Sequence, residues 1–214
     1  VPKETLYKYS KDSHHQNIVL KCTSLQYVQI SSPDNLYYVA GERNTGLNFV
    51  YLDRVNDPHN LGAILRTCVY FGVDGVIVDK FSRCPLTPTV SRTSAGALEL
   101  KDVYCTENPT EFIKQLKQDH WTVLAAKAPS GTSEEEQSSA KKKRFNPNGN
   151  YLICLGSEGF GLDKKLEALA DDTLSIHRPA HLQQFPHSLL DSLNVSVACA
   201  LLLESHLSKF RKDK

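Results

Sequence analysis

From Phe49 onward the chain alternates short β-branched or aromatic runs with segments of helical period, and no other feature constrains its fold as tightly. FVYLDRV reads as a strand, DPHN as a turn, and LGAILRTCVYFG places its apolar residues at helical spacing. VDGVIVD is a second strand, PTEFIKQLKQD a helix, WTVLAAKA and YLICLG strands, LDKKLEALA a helix and DTLSIH a strand. SLNVSVACALLLESHLSKF closes the pattern as a long helix with an Ala/Leu/Val face. This alternation predicts an α/β fold, a mostly parallel sheet flanked by helices and buried on both faces. Ligands of such sheets bind beyond the carboxyl ends of the strands. DPHN, GSEGFG and HRPAHLQQ all fall there.

The remaining segments read differently. Residues 1–47 are polar and tyrosine-rich, with β-like pieces NIVLKC and LYYVA, and are expected to be a connecting arm rather than a domain. Residues 48–214 hold the α/β domain, interrupted at about 129–150 by PSGTSEEEQSSAKKKRFNPNGN. That stretch is too polar to bury a core and is expected to be a flexible insertion. Its KKKR either meets RNA phosphate or is a solvated loop. Val at position 1 and the absence of Met point to a chain processed or trimmed at its N-terminus.

Composition narrows the function. Formal net charge is +1, so no global basic field announces a nucleic-acid partner. The six cysteines contain no CxxC and predict buried free thiols in a reducing compartment rather than a zinc site. No run approaches the ~20 apolar residues that span a bilayer. Neither a metal nor a membrane is expected.

Three segments could carry chemistry. In NLGAILR, Asn60 follows Asp57 and Pro58 at a strand-to-helix junction, where a capping Asn is natural. Arg66, set among apolar residues, either lies on the surface or meets an anion. GSEGFG could cradle a phosphate, but it lacks the GK[ST] ending of a P-loop and Glu158 would repel a pyrophosphate. A cationic ligand suits it better, and a tight structural turn is equally open. SLNVSVA, Ser192 to Ala198, alone reads as an ordinary helix start.

Taken together and in order, NxGAxxR, LGxEGxGL and SLNVSVA resemble the three motifs of the SPOUT superfamily, in its branch of tRNA and rRNA 2′-O-ribose methyltransferases. TSAGALE at Thr93–Glu99 and HQNIVL at His15–Leu20 extend the resemblance, which runs from about His15 to Phe210; Asn17 stands where the family has Gly. The similarity is greatest to enzymes that methylate a guanosine ribose in large-subunit rRNA, mitochondrial members included. It therefore implies large-subunit rRNA as partner and the mitochondrial matrix rather than the cytoplasm. Alternatives are a tRNA 2′-O-ribose methyltransferase and a non-catalytic ribosome-assembly factor.

The resemblance further implies a deep C-terminal trefoil knot whose loops bind S-adenosylmethionine. It also implies a homodimer that brings one subunit's Arg66 near the other's pocket. Leu155, Gly156, Ser157, Gly159, Ile176, Leu193 and Ala198 would bind the cofactor. Asn60, Arg66, Glu158, Ser192 and Asn194 would occupy the catalytic positions, with Glu158 either touching ligand or bracing the loop. HRPAHLQQFPHSLLD, between Ile176 and Ser192, is longer than is typical and lacks the family's Ile-Pro. Arginine is effectively always protonated, so Arg66 is expected to hold the target phosphate and stabilise charge developing on the attacking oxygen. The expected target is an unpaired loop or bulge.

Overall fold

The computed structural model describes residues 1–10, 17–40, 46–128, 146, 148–176 and 192–207. Within these, seven strands form one sheet: β1 (Val28–Gln29), β2 (Asn48–Asp53), β3 (Gly75–Asp79), β4 (Val103–Thr106), β5 (Thr122–Ala126), β6 (Tyr151–Gly156) and β7 (Asp172–Leu174). Their order is β1-β4-β3-β2-β6-β5-β7 and every pairing is parallel. The helices are α1 (Lys3–Ser10), α2 (Asp34–Ala40), α3 (Pro58–Phe71), α4 (Pro88–Ser94), α5 (Ala97–Leu100), α6 (Pro109–Gln118), α7 (Lys164–Glu167) and α8 (Val195–Leu207). The expected α/β sheet flanked by helices is thus present.

Period-two alternation divides the core into two halves. Val50 and Leu52 of β2, with Ile153 and Leu155 of β6, face α3 and α8 through Leu61, Ile64, Cys199 and Leu203. Phe49 and Tyr51, with Leu152 and Cys154, face the other way onto Ile113 and Leu116 of α6 and Leu166 of α7. Both faces being covered explains why these strands read as nearly continuous apolar runs.

Local expectations are corrected in places. LYYVA, expected to be β-like, belongs to α2, because Asp34 after a proline starts a helix that buries Leu36. NIVLKC forms no strand between Asn17 and Cys22. Asn17 has φ 65°, the left-handed region where Gly is usual and Asn among the few side chains tolerated. VYCT, passed over in the sequence, is β4, and edge strand β1 pairs with it. Ile30 and Leu36 are buried in the same core half as Phe49 and Tyr104, so β1 and α2 pack onto the sheet. LDKKLEALA supplies only one helical turn, α7.

Candidate functional site

The loops after β2 and β6 part at the carboxyl edge of the sheet. β2 leads to α3 on one face, whereas β6 leads to α7 on the other. Asp53 and Gly156, the last residues of these adjacent strands, are register partners. Divergence of neighbouring loops to opposite faces opens the crevice in which doubly wound sheets hold ligands. A cleft of about 400 Å³ lies there, lined by residues 54–57 and 60, residues 157–160, Ser82 and Val195.

The α3 side begins with a helix cap. Asp57, not Asn60, is the N-cap: its carboxylate accepts the His59 N–H at 2.8 Å, with Pro58 next. That backbone hydrogen bond is the main cause holding the Asp57 carboxyl below the usual carboxylate range. Asn60 therefore sits inside the first turn, its amide free to reach across the cleft. Gly62 lets α4 pack close, since a Cβ there would lie 1.9 Å from Thr93 Oγ1 and 2.8 Å from Val90 O. Thr93 belongs to the TSAGALE stretch.

One carboxylate joins all three motif segments. Glu158 Oε1 accepts the Asn194 amide at 2.6 Å, the Val195 backbone N–H at 3.1 Å and the Asn60 amide at 3.3 Å. Asn194 also donates to Asn60 Oδ1 at 3.0 Å. At the same time Asn194 caps α8, its Oδ1 accepting the Ser196 N–H at 3.0 Å. A negative charge at the start of α8 also suits the positive end of the helix dipole. Glu158 thus ties the β6 loop to α3 and to the start of α8.

The glycines of GSEGFG serve backbone packing. A Cβ on Gly156 would meet Gly161 C and Leu162 N at 2.1 Å, so the loop folds back on its own stem. The Gly161 N–H donates to Ser157 O at 2.8 Å, and Gly161 has φ 67°. Asp53 and Arg54, overlooked in the sequence, hold this loop in place. The buried Asp53 carboxylate accepts the Asp163 N–H at 2.8 Å and Arg54 Nη2 at 3.0 Å. Their only signal was a charged pair ending a buried strand.

The other expected residues are placed as follows. Ser157 and Gly159 line the cleft, and Ser157 Oγ is buried without a hydrogen-bond partner among the described residues. Leu155 is buried and Ile176 half-buried in the core half of α3 and α8; Ala198 is half-buried on α8, and Leu193 is exposed. Ser192 is exposed just before α8. Arg66 does not reach the cleft. Six residues beyond Asn60 it is displaced by about 9 Å and about 240° around the helix, and it is exposed. HRPAHLQQFPHSLLD, KKKR, His15 and Gln16 lie outside the described residues. No helix among the described residues is long and apolar enough to cross a membrane.

Residues 47–204 match the SpoU rRNA Methylase family. The chain is 38% identical over 177 residues to rRNA methyltransferase 1, mitochondrial, of Homo sapiens, covering 79% of this chain and 49% of that protein. Its counterpart of the same name from Saccharomyces cerevisiae is 31% identical over 211 residues, covering 94% and 51%. The chain therefore spans about half the length of these curated relatives. A crystal structure of AdoMet-bound rRNA methyltransferase from Sinorhizobium meliloti matches with TM-score 0.58 and 26% identity, over 75% of this chain and 55% of that one.

Proposed function

The chain belongs to the SpoU rRNA methylase family, and from that premise we propose that it methylates a guanosine ribose 2′-hydroxyl of large-subunit rRNA, using S-adenosylmethionine. The observation that carries this reading is the Glu158 brace. It draws the ends of β2 and β6 and the start of α8 into one wall, so that three segments distant in sequence act as one site.

The residues present fit the cofactor. The orphaned Ser157 Oγ offers a polar partner, and Asp57 and Glu158 give the cleft the carboxylates a cation needs. Leu155, Gly156, Ser157, Gly159, Ile176, Leu193 and Ala198 would hold it. When bound, S-adenosylmethionine supplies a methyl group on a positively charged sulfur. Asn60, Glu158 and Asn194 act as positioning residues, each oriented by hydrogen bonds to the others. Ser192 is exposed two residues ahead of Asn194, the α8 cap.

Arg66 is exposed and outside the lining of its own cleft, which agrees with a homodimer in which it serves the neighbouring copy. There its fixed charge and planar fork hold the target phosphate and stabilise the developing oxyanion. The proton passes to phosphate or water. Arg66→Lys should lose most methyl incorporation while S-adenosylmethionine affinity is kept; near-normal turnover would refute this role. The family's trefoil knot and a mitochondrial location, as the names of both relatives suggest, belong to the same reading.

Mapping 2′-O-methyl groups on ribosomal RNA with and without the protein tests the proposal, with one large-subunit guanosine expected to lose its methyl group. A change confined to tRNA would redirect it. Absence of S-adenosylmethionine binding in calorimetry would sink it.

A further inference from the structure

Two phenylalanines stand in water beside the cleft. Phe160, after β6, is 82% exposed, and Phe81, after β3, is 78% exposed. β3 and β6 are the two neighbours of β2, so these aromatic residues follow strands on opposite sides of β2, about 10 Å apart at two inter-strand spacings. The cleft lies between those strand ends. Ser82, next to Phe81, lines one side and Phe160 the other.

Both rings are carried on braced turns. Asp79 accepts the Phe81 N–H at 3.0 Å and the Ser82 hydroxyl at 2.8 Å. The Phe160 turn is closed by the Gly161 N–H to Ser157 O bond and approached by Arg54 Nη2, 3.4 Å from Gly161 O. Each ring also has a cation against it: Arg54 lies 5.7 Å from the Phe160 centroid and Lys80 Nζ 6.0 Å from that of Phe81. Those cations are already committed, Arg54 to Asp53 and Lys80 to Glu107. What the rim offers is therefore two fixed aromatic faces rather than free positive charge.

Resting on the methyltransferase reading above, we propose that Phe81 and Phe160 are stacking platforms for unpaired bases that flank the target nucleotide in single-stranded RNA. Every base has a π face, and only an unpaired strand exposes it to a side chain. A net charge of +1 fits recognition through bases better than recognition through the phosphate backbone alone.

The test is fluorescence anisotropy on the whole chain, using a labelled unpaired RNA of about 12 nucleotides, within the span of known single-strand sites, and a matching abasic oligomer. Phe81→Ala and Phe160→Ala should each weaken binding to the RNA by about five- to a hundredfold. Phe→Trp at either position should restore it. All variants should bind the abasic oligomer as the unmodified chain does. Alanine variants within twofold on RNA, or an equal loss on the abasic oligomer, would overturn the inference. If the unmodified chain still binds S-adenosylmethionine in that case, the methyltransferase reading stands. If it binds neither cofactor nor RNA, both fall.

Discussion

Glu158 shows how one side chain can hold three segments of a site together. Its Oε1 takes three donors, two of them side-chain amides and the third the first backbone N–H of α8. Replacing it by Ala leaves those donors to water and releases the start of α8 from the β6 loop. Glu158→Ala should cost about 1–2 kcal/mol in urea unfolding, the scale of hydrogen bonds lost at a partly solvated site, and S-adenosylmethionine binding should fall with it. Unchanged stability and affinity would remove the brace from the argument. Gly156 is less forgiving, because the atoms a Cβ would strike are backbone. Gly156→Ala should abolish cofactor binding, measured by calorimetry, while circular dichroism keeps its helical signal.

Helix α3 carries the second set of consequences. Its cap, Asp57, titrates below its unfolded value because the folded state donates a backbone N–H to the charged form. Such a group contributes fully above about pH 4, and its contribution disappears as pH falls through the folded value. Asp57→Asn preserves a capping oxygen, so stability near pH 7 should change little. The decline as pH falls below about pH 4, where an unfolded carboxylate takes up its proton, should become shallower in parallel urea titrations. The seat of α3 on α4 is tested at Gly62, where an added methyl meets Thr93 and Val90 O. Gly62→Ala should destabilise by about 1–3 kcal/mol through overpacking, seen as a lower Tm. Elements such as α3 were legible because their apolar residues recur at helical spacing. LYYVA was misread because two tyrosines and a valine resemble a strand, whereas its burial through Leu36 is helical.

At the scale of the molecule, five of the six cysteines are buried on the two faces of one sheet and only Cys22 is exposed. Burial pushes the Cys154 thiol well above its ordinary value. A thiol-reactive dye should therefore label one cysteine quickly in the folded protein and the other five only on global unfolding; fast labelling of several would mean that the core opens locally. The sequence by itself determined the α/β class, the order of most strands and the three motif segments. These depend on neighbours along the chain, whose burial period records the element they form. It could not say that Asp57 rather than Asn60 caps α3, that Arg66 lies outside the lining of the cleft, or that Glu158 is a brace. The Glu158 brace joins residues 98 and 36 positions apart, and only the stacking of β6 beside β2, with α8 packed across them, decides which polar groups meet.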